Sequence, residues 1–292
     1  MGNKATTIEQ QIKKLSDRGM IFENEAEINK AKEILLDVGY YRLGFYWNPF
    51  EIDTDHNFAV GTKFSDVVSL YYLDVDLKNI LNKALNRIEI NLRTQIIYYV
   101  SNANPDNPTW FASKKVMYSK FVDEFPNYYS DNFKKNNKPL KKHHDNYQND
   151  IYAPAWKTLE FLTFGTIEKI YFSLKDEDLK KQIANLYGVK KVKVFQNFLK
   201  TVIFIRNICA HSGILFDSNT PKEIETTPLI TFNNNNRHSL DSSIKVILYF
   251  LGIISNSRKN IIEDEIIALL DSYSENPIIQ KIITDKIGYI KK

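Results

Sequence analysis

The chain has 292 residues, 43% hydrophobic and 25% charged, a balance that buries a substantial core and excludes a disordered polyelectrolyte. Ten Gly and nine Pro are too few for a loop-rich β architecture, while 17 Tyr and 18 Phe supply bulky core material, so a mostly helical fold is expected. A formal charge of +4 is compatible with a polyanionic partner without requiring one, and the single cysteine, Cys209, excludes an internal disulfide framework and a cysteine-based zinc site.

The opening MGNKATTIEQ has no apolar leader core, and no run approaches the roughly 18 apolar residues a membrane helix needs. A soluble protein of a reducing, cytoplasmic compartment is expected, with no membrane partner. MGNKAT fits a myristoylation pattern, but the Lys- and Asn-rich composition points to a bacterial chain, in which that modification is not expected.

In chain order, Thr6 and Glu9 fit a capping box opening a first helix, and Asn24 fits the cap of a second that runs through Leu36 and is ended by Gly39. The aromatic stretch YYRLGFYWNPF (Tyr40 to Phe50) follows, then a turn-rich segment able to form a short hairpin. From Ser65 to about Ser101 the helical pattern is strongest. Leu77, Leu81, Ala84, Leu85, Ile88, Leu92 and Ile96 fall within an arc about 120° wide, with Glu89 and Arg93 at its edge.

Residues 103 to 155 are polar and are expected to be an insertion between bundle helices. Helical periodicity returns over Trp156 to Leu174, then in DEDLKKQIANLYG, then in KKVKVFQNFLKTVIFIRNICAHSG, which Gly213 is placed to close. The Asn233 to Asn236 run marks a surface loop, and two or three helices complete the chain. The expected division is an N-terminal extension over 1–64, a helical core over 65–256 carrying the insertion, and C-terminal helices over 257–292.

Phosphate-binding loops, dinucleotide fingerprints, zinc-protease motifs and nucleophile elbows are all missing from the sequence. His56, His143, His144 and His238 lie in polar, loop-like sequence and read as solvated. His211 differs, because it ends a helix five residues after Arg206. With Arg206 at 0° on the wheel, Ala210, Asn207 and His211 follow at about 40°, 100° and 140°, a polar notch on an otherwise apolar helix. An Arg there needs a carboxylate such as Glu89, a cavity or water, and His211 could simply cap the helix end. Chemically the pair suits RNA cleavage. An imidazole can move a proton while a ribose 2′-hydroxyl attacks the adjacent phosphate, and a guanidinium can hold the charge developing on the phosphorane.

Several stretches together resemble the AbiD/AbiF-type abortive-infection proteins, a branch of the HEPN superfamily. The likeness runs through YYRLGFYWNPF, Phe58 to Phe64, Leu70 to Ile96, Ala153 to Tyr171 and FIRNICAHSGILF (Phe204 to Phe216), covering most of residues 10 to 216. The family's R-x(4–6)-H motif is filled by Arg206, Asn207 and His211, with a gap at the short end of its range. The resemblance implies an all-α HEPN bundle acting as a metal-independent endoribonuclease toxin in phage defence, with no cofactor. It also implies a small noncoding RNA as antitoxin. Since the chain carries one such motif, two motifs in one active site require a homodimer.

By that reading Arg206 holds the scissile phosphate, His211 transfers protons, Asn207 positions one or both, and Glu89 orients Arg206. An intrahelical Glu89–Arg93 salt bridge is the plainer use of those two residues. Tyr41 and Arg42, with Tyr40, Tyr46 and Trp47, could stack RNA bases or fill a core. Lys134, Lys135, Lys138, Lys141 and Lys142, with Lys190, Lys191 and Lys193, are candidate phosphate contacts or a solvated charged face. Two further readings stay open: a non-catalytic RNA-binding or interaction module, and a HEPN partner of a nucleotidyltransferase.

Overall fold

The structure is a computed structural model that describes residues 4–233 and 236–290. The start of the MGNKAT motif, the middle of the Asn233–Asn236 run and the last two residues of the C-terminal segment lie outside the described residues. The chain forms an all-α bundle, with no strand among the described residues. No helix among them is long and apolar enough to cross a membrane.

Helix α1 (Ile8–Asp17) is capped by Thr7, not Thr6: the Thr7 hydroxyl accepts from the Gln10 amide while the Gln10 side chain accepts from the Thr7 amide. Both threonines have an acidic or amide residue three positions on, and Thr6 is instead bonded by Gln11. Asn24 caps α2 (Glu25–Asp37) as its position suggests. Gly39, at φ +92, turns the chain directly into α3 (Tyr40–Trp47), which places Tyr46 and Trp47 in the core. The turn-rich segment closes with one antiparallel bridge, Glu51 to Phe58, in place of a strand pair.

The axis of the bundle is α4 (Phe64–Ala103), 40 residues and about 60 Å long. Its seven-residue apolar stripe is buried throughout, against α3, α11 (Val192–Ala210), α12 (Leu240–Ile254) and α13 (Asn256–Asp271). The segment after α4 folds into α5 (Ser119–Glu124), α6 (Asp131–Asn136), α7 (Lys138–Asn146) and α8 (Ala155–Thr158). Its polar composition conceals a small aromatic core in which Phe111, Phe121, Phe125, Tyr129 and Tyr152 meet at ring-centroid distances of 4.7–6.3 Å.

The helical periodicity of Trp156 to Leu174 is broken in the structure. Thr163 caps α9 (Phe164–Ser173) by accepting from the Thr166 amide, and Leu162 takes an extended backbone whose carbonyl is free for another donor. Asp176 caps α10 (Glu177–Leu186). After α13 the chain ends in α14 (Pro277–Ile282), which runs into a π-helical turn, residues 283–287. Buried hydrophobic residues from Ile12 to Ile287 form one continuous cluster.

Candidate functional site

Two charged anchors on α4 bracket the C-terminal end of α11. The first is Glu89. One of its carboxylate oxygens accepts from Arg93 Nη2 at 2.8 Å, and the other accepts from Arg206 Nε at 3.1 Å. Arg93 Nη2 also donates to the Leu162 carbonyl at 3.0 Å, which the break before α9 releases. The intrahelical pairing and the contact to Arg206 are therefore not alternatives, because one carboxylate makes both. Side-chain exposure is 11% for Glu89, 9% for Arg93 and 26% for Arg206, so exposure rises toward Arg206. Only Arg206 Nε is engaged; its two Nη groups have no partner among the described residues.

Asn207, Ala210 and His211 are exposed at the helix end, whereas the Arg206 guanidinium is half-buried and turned toward Glu89. His211 is the C-terminal cap residue of α11, and its amide closes the last turn on the Asn207 carbonyl at 3.0 Å. Its ring has no partner among the described residues. The helix is stopped by Ser212, in the left-handed region at φ +54, one residue before the expected Gly213. Gly213 has another role. Its amide reaches back to the Ile208 carbonyl at 2.8 Å, and a Cβ there would lie 3.0–3.3 Å from Ile208, so any side chain would have to press Ile208 aside.

The second anchor was not anticipated. Asp74, fully buried on α4, accepts the backbone amides of Leu215 and Phe216 on one oxygen at 2.9 and 2.7 Å. Its other oxygen takes the Tyr46 hydroxyl at 2.8 Å and Lys78 Nζ at 2.7 Å, while Lys78 also donates to the Gly213 carbonyl at 2.8 Å. Burial, with the Asp74 carboxylate adding to it, drives the Tyr46 phenol far above its usual pKa. Burial also pushes the Cys209 thiol up to about 12, with Lys78 opposing and Asp74 reinforcing. The signal was present in the sequence: Asp74 and Lys78 are spaced i,i+4, three residues before Leu77 and Leu81 on the same apolar stripe.

The remaining candidates are dispersed. Tyr41 is 83% exposed and edges against Phe45, whereas Arg42 lies half-buried with its guanidinium 6.0 Å from the Tyr46 ring centre. Lys135, Lys138, Lys141 and Lys142 are exposed on α6 and α7, and Lys134 pairs with Asp131 at 2.8 Å. Lys190, Lys191 and Lys193 stand exposed at the start of α11. His143 is not a solvated loop residue: α7 turns it inward, 5% exposed, with Nε2 3.0 Å from Asp150. His144 bonds to the Tyr129 hydroxyl, and burial followed by its neighbours His143 and Lys134 lowers its pKa. Among the described residues no group of three or more His, Cys, Asp or Glu side chains gathers where it could hold a metal ion.

The family model described as "Abi-like protein" matches residues 33–217, from within α2 through α11 to the segment held by Asp74. The chain belongs to the Abi-like protein family. Membership associates this Abi-like protein with abortive infection, a defence activity. None of the curated proteins and none of the solved structures compared with it matches.

Proposed function

We propose that this Abi-like protein is an endoribonuclease toxin of the HEPN type, with Arg206, Asn207 and His211 at its active site. The observation that carries the reading is the state of Arg206. Glu89 holds its Nε and so orients the guanidinium, both Nη groups have no partner among the described residues, and an exposed imidazole follows five residues on at the helix end. That pair of Nη donors matches two phosphate oxygens, a geometry that strengthens as charge develops in the transition state.

In the reaction the ribose 2′-oxygen attacks the neighbouring phosphorus and the bond from phosphorus to the 5′-oxygen breaks. The products are a 2′,3′-cyclic phosphate and a 5′-hydroxyl. One imidazole accepts the 2′-hydroxyl proton and another gives a proton to the departing 5′-oxygen. A single chain supplies one His211, so the site is completed by a second copy related by two-fold symmetry. Asn207, one turn before His211 on the exposed side, orients the phosphate. A small noncoding RNA that occupies this site would act as antitoxin.

Purified protein, Arg206→Ala and His211→Ala are compared on total RNA in the presence of a chelator, with the product ends mapped. Cyclic phosphate ends from the parent alone, together with a dimeric mass in light scattering, are expected. Parental cleavage by His211→Ala refutes the assignment. The Glu89–Arg206 pair would also serve a module that binds phosphate without cutting it. In that case His211→Ala arrests growth on expression as strongly as the parent does.

A further inference from the structure

Three cavities line α11, two of them between the helix and the segment that follows it and one between the helix, α5 and α9. One of about 450 Å³ is walled by Lys193, Asn197, Lys200 and Phe204 on the helix and by residues 220–225 opposite. Asn197 pins that opposite wall, donating to the Glu223 carbonyl at 2.9 Å and accepting from the Glu225 amide at 2.8 Å. A second of about 350 Å³ continues past the helix start, beside Lys190, Lys191 and residues 226–229. A third of about 500 Å³ shares Gln196 and Lys200 with the first and opens toward Tyr118 and Phe172.

The acidic groups of the central wall are already engaged. Glu223 pairs with Arg237 at 2.7 Å, and Glu225 lies 3.6 Å from Lys193. Glu168, in the third cavity, has its pKa raised by burial against the pull of Lys200 and Lys169. Lys190, Lys191, Lys200 and Lys222 have no ion-pair partner among the described residues. Lys190, Lys191 and Lys222, with Lys200 beside Glu168, therefore face the trough. At 100° per residue, Lys193, Lys200, Phe204, Asn207 and His211 fall within an arc of about 60° on α11, so the trough face runs toward His211, with Arg206 about 140° away on the side turned to Glu89. From Lys193 to His211 the helix rises about 27 Å.

We propose that this trough is the substrate track of the Arg206/His211 site, and that it holds a single-stranded RNA segment leading to the scissile phosphate; the inference rests on the endoribonuclease reading. Phosphates meet Lys190, Lys191, Lys200 and Lys222, and bases meet the faces of Phe204, Phe172 and Tyr118. The combination of spaced cations with aromatic faces in a narrow groove selects an unpaired strand, since a duplex keeps its bases stacked away from such faces.

The test uses the full chain carrying His211→Ala, which keeps the RNA intact, and a fluorescent 12-nucleotide unstructured RNA followed by anisotropy over a salt series. Substituting Lys190, Lys191, Lys200 and Lys222 together by Ala should weaken binding at least tenfold. The slope of log affinity against log salt should become shallower by about 0.7 per lysine removed. The matching quadruple change at Lys135, Lys138, Lys141 and Lys142 on the insertion should leave both unchanged. Equal binding and slope in the trough variant, binding lost only in the insertion variant, or no RNA binding by the parent, each overturn the track. Cleavage is scored separately in the His211 background. A chain that binds RNA through the trough but never cuts retains the track and refutes the enzyme; normal cutting with the trough lysines removed does the reverse.

Discussion

Glu89→Gln is the perturbation on which the site makes its sharpest demand. The substitution keeps the shape of the side chain and removes the charge that Arg93 and Arg206 share at 2.8 and 3.1 Å. Breaking a buried ion pair by removing one partner costs about 3–5 kcal/mol, and the partial exposure of Arg206 places this case near about 3 kcal/mol. With an unfolding entropy of roughly 2 cal/mol/K per residue, that lowers the melting temperature of a chain of this size by about 5 °C. The rate should fall far more than stability does. An Arg206 guanidinium no longer tied at Nε loses its fixed plane, and misplacement on the order of 1 Å costs about 100-fold.

Arg93→Met supplies the contrast. It removes the same intrahelical pair and the contact to the Leu162 carbonyl but leaves Glu89 with Arg206, so it should melt earlier while retaining most of its activity. Both variants are assayed for cyclic-phosphate product at a temperature well below either transition. Parental rates in Glu89→Gln, or equal losses of rate in both variants, would show that Glu89 serves the fold alone.

Asp74→Asn should destabilise the chain and release the backbone of residues 213–216, read as faster amide exchange at Leu215 and Phe216; unchanged exchange would remove Asp74 from the account. Cys209, with its thiol raised to about 12, stays protonated at pH 8, so it should resist iodoacetamide in the native protein and react once urea unfolds it. The lowered pKa of His144 means that the unfolded chain binds its proton more tightly. That contribution to stability is present above the unfolded pKa, roughly 6.5, and is lost as pH falls below it. His144→Gln should flatten the pH dependence of the urea midpoint, and an unchanged slope would exclude His144 as its source. Gly213→Ala should destabilise through its 3.0 Å approach to Ile208, with Ser212→Gly neutral or stabilising by comparison in thermal melts.

What could be read from the sequence was what depends on periodicity. The stripe from Leu77 to Ile96 is buried as its spacing requires, and of the polar notch Asn207 and His211 are exposed while Arg206 finds the carboxylate of Glu89 that an arginine there needs. What escaped depends on contacts distant in sequence. Arg93 needs the Leu162 carbonyl 69 residues away, and that need coincides with a helix break whose local pattern still reads as helical. The insertion looked merely polar because its aromatics are scattered over some 40 residues and meet only after α5 to α8 have turned back on one another. His143 was misplaced for the same reason: only the formed α7 gives it an inner face.

The two anchors on α4 explain why a short motif at a helix end can be held rigid. Glu89 contacts Arg206, Lys78 contacts the Gly213 carbonyl and Asp74 contacts Leu215 and Phe216, so the two segments run antiparallel and each step along one is matched on the other. His211 lies between the two clamps, at a point where the helix has just ended and the backbone would otherwise be free to move. A continuous 40-residue helix is stiff enough to fix both clamps relative to each other, whereas two separate elements would transmit their own motion to the pair. The match to the Abi-like family spans residues 33–217, which takes in Tyr46, Asp74, Lys78, Glu89, Arg93, Leu162, Arg206, His211 and Phe216. The matched stretch thus contains every residue of both clamps and leaves α12 to α14 outside it. The last three helices pack against α4 and α11, and Lys286, just after α14, pairs with Asp217 at 3.2 Å beside the clamped segment.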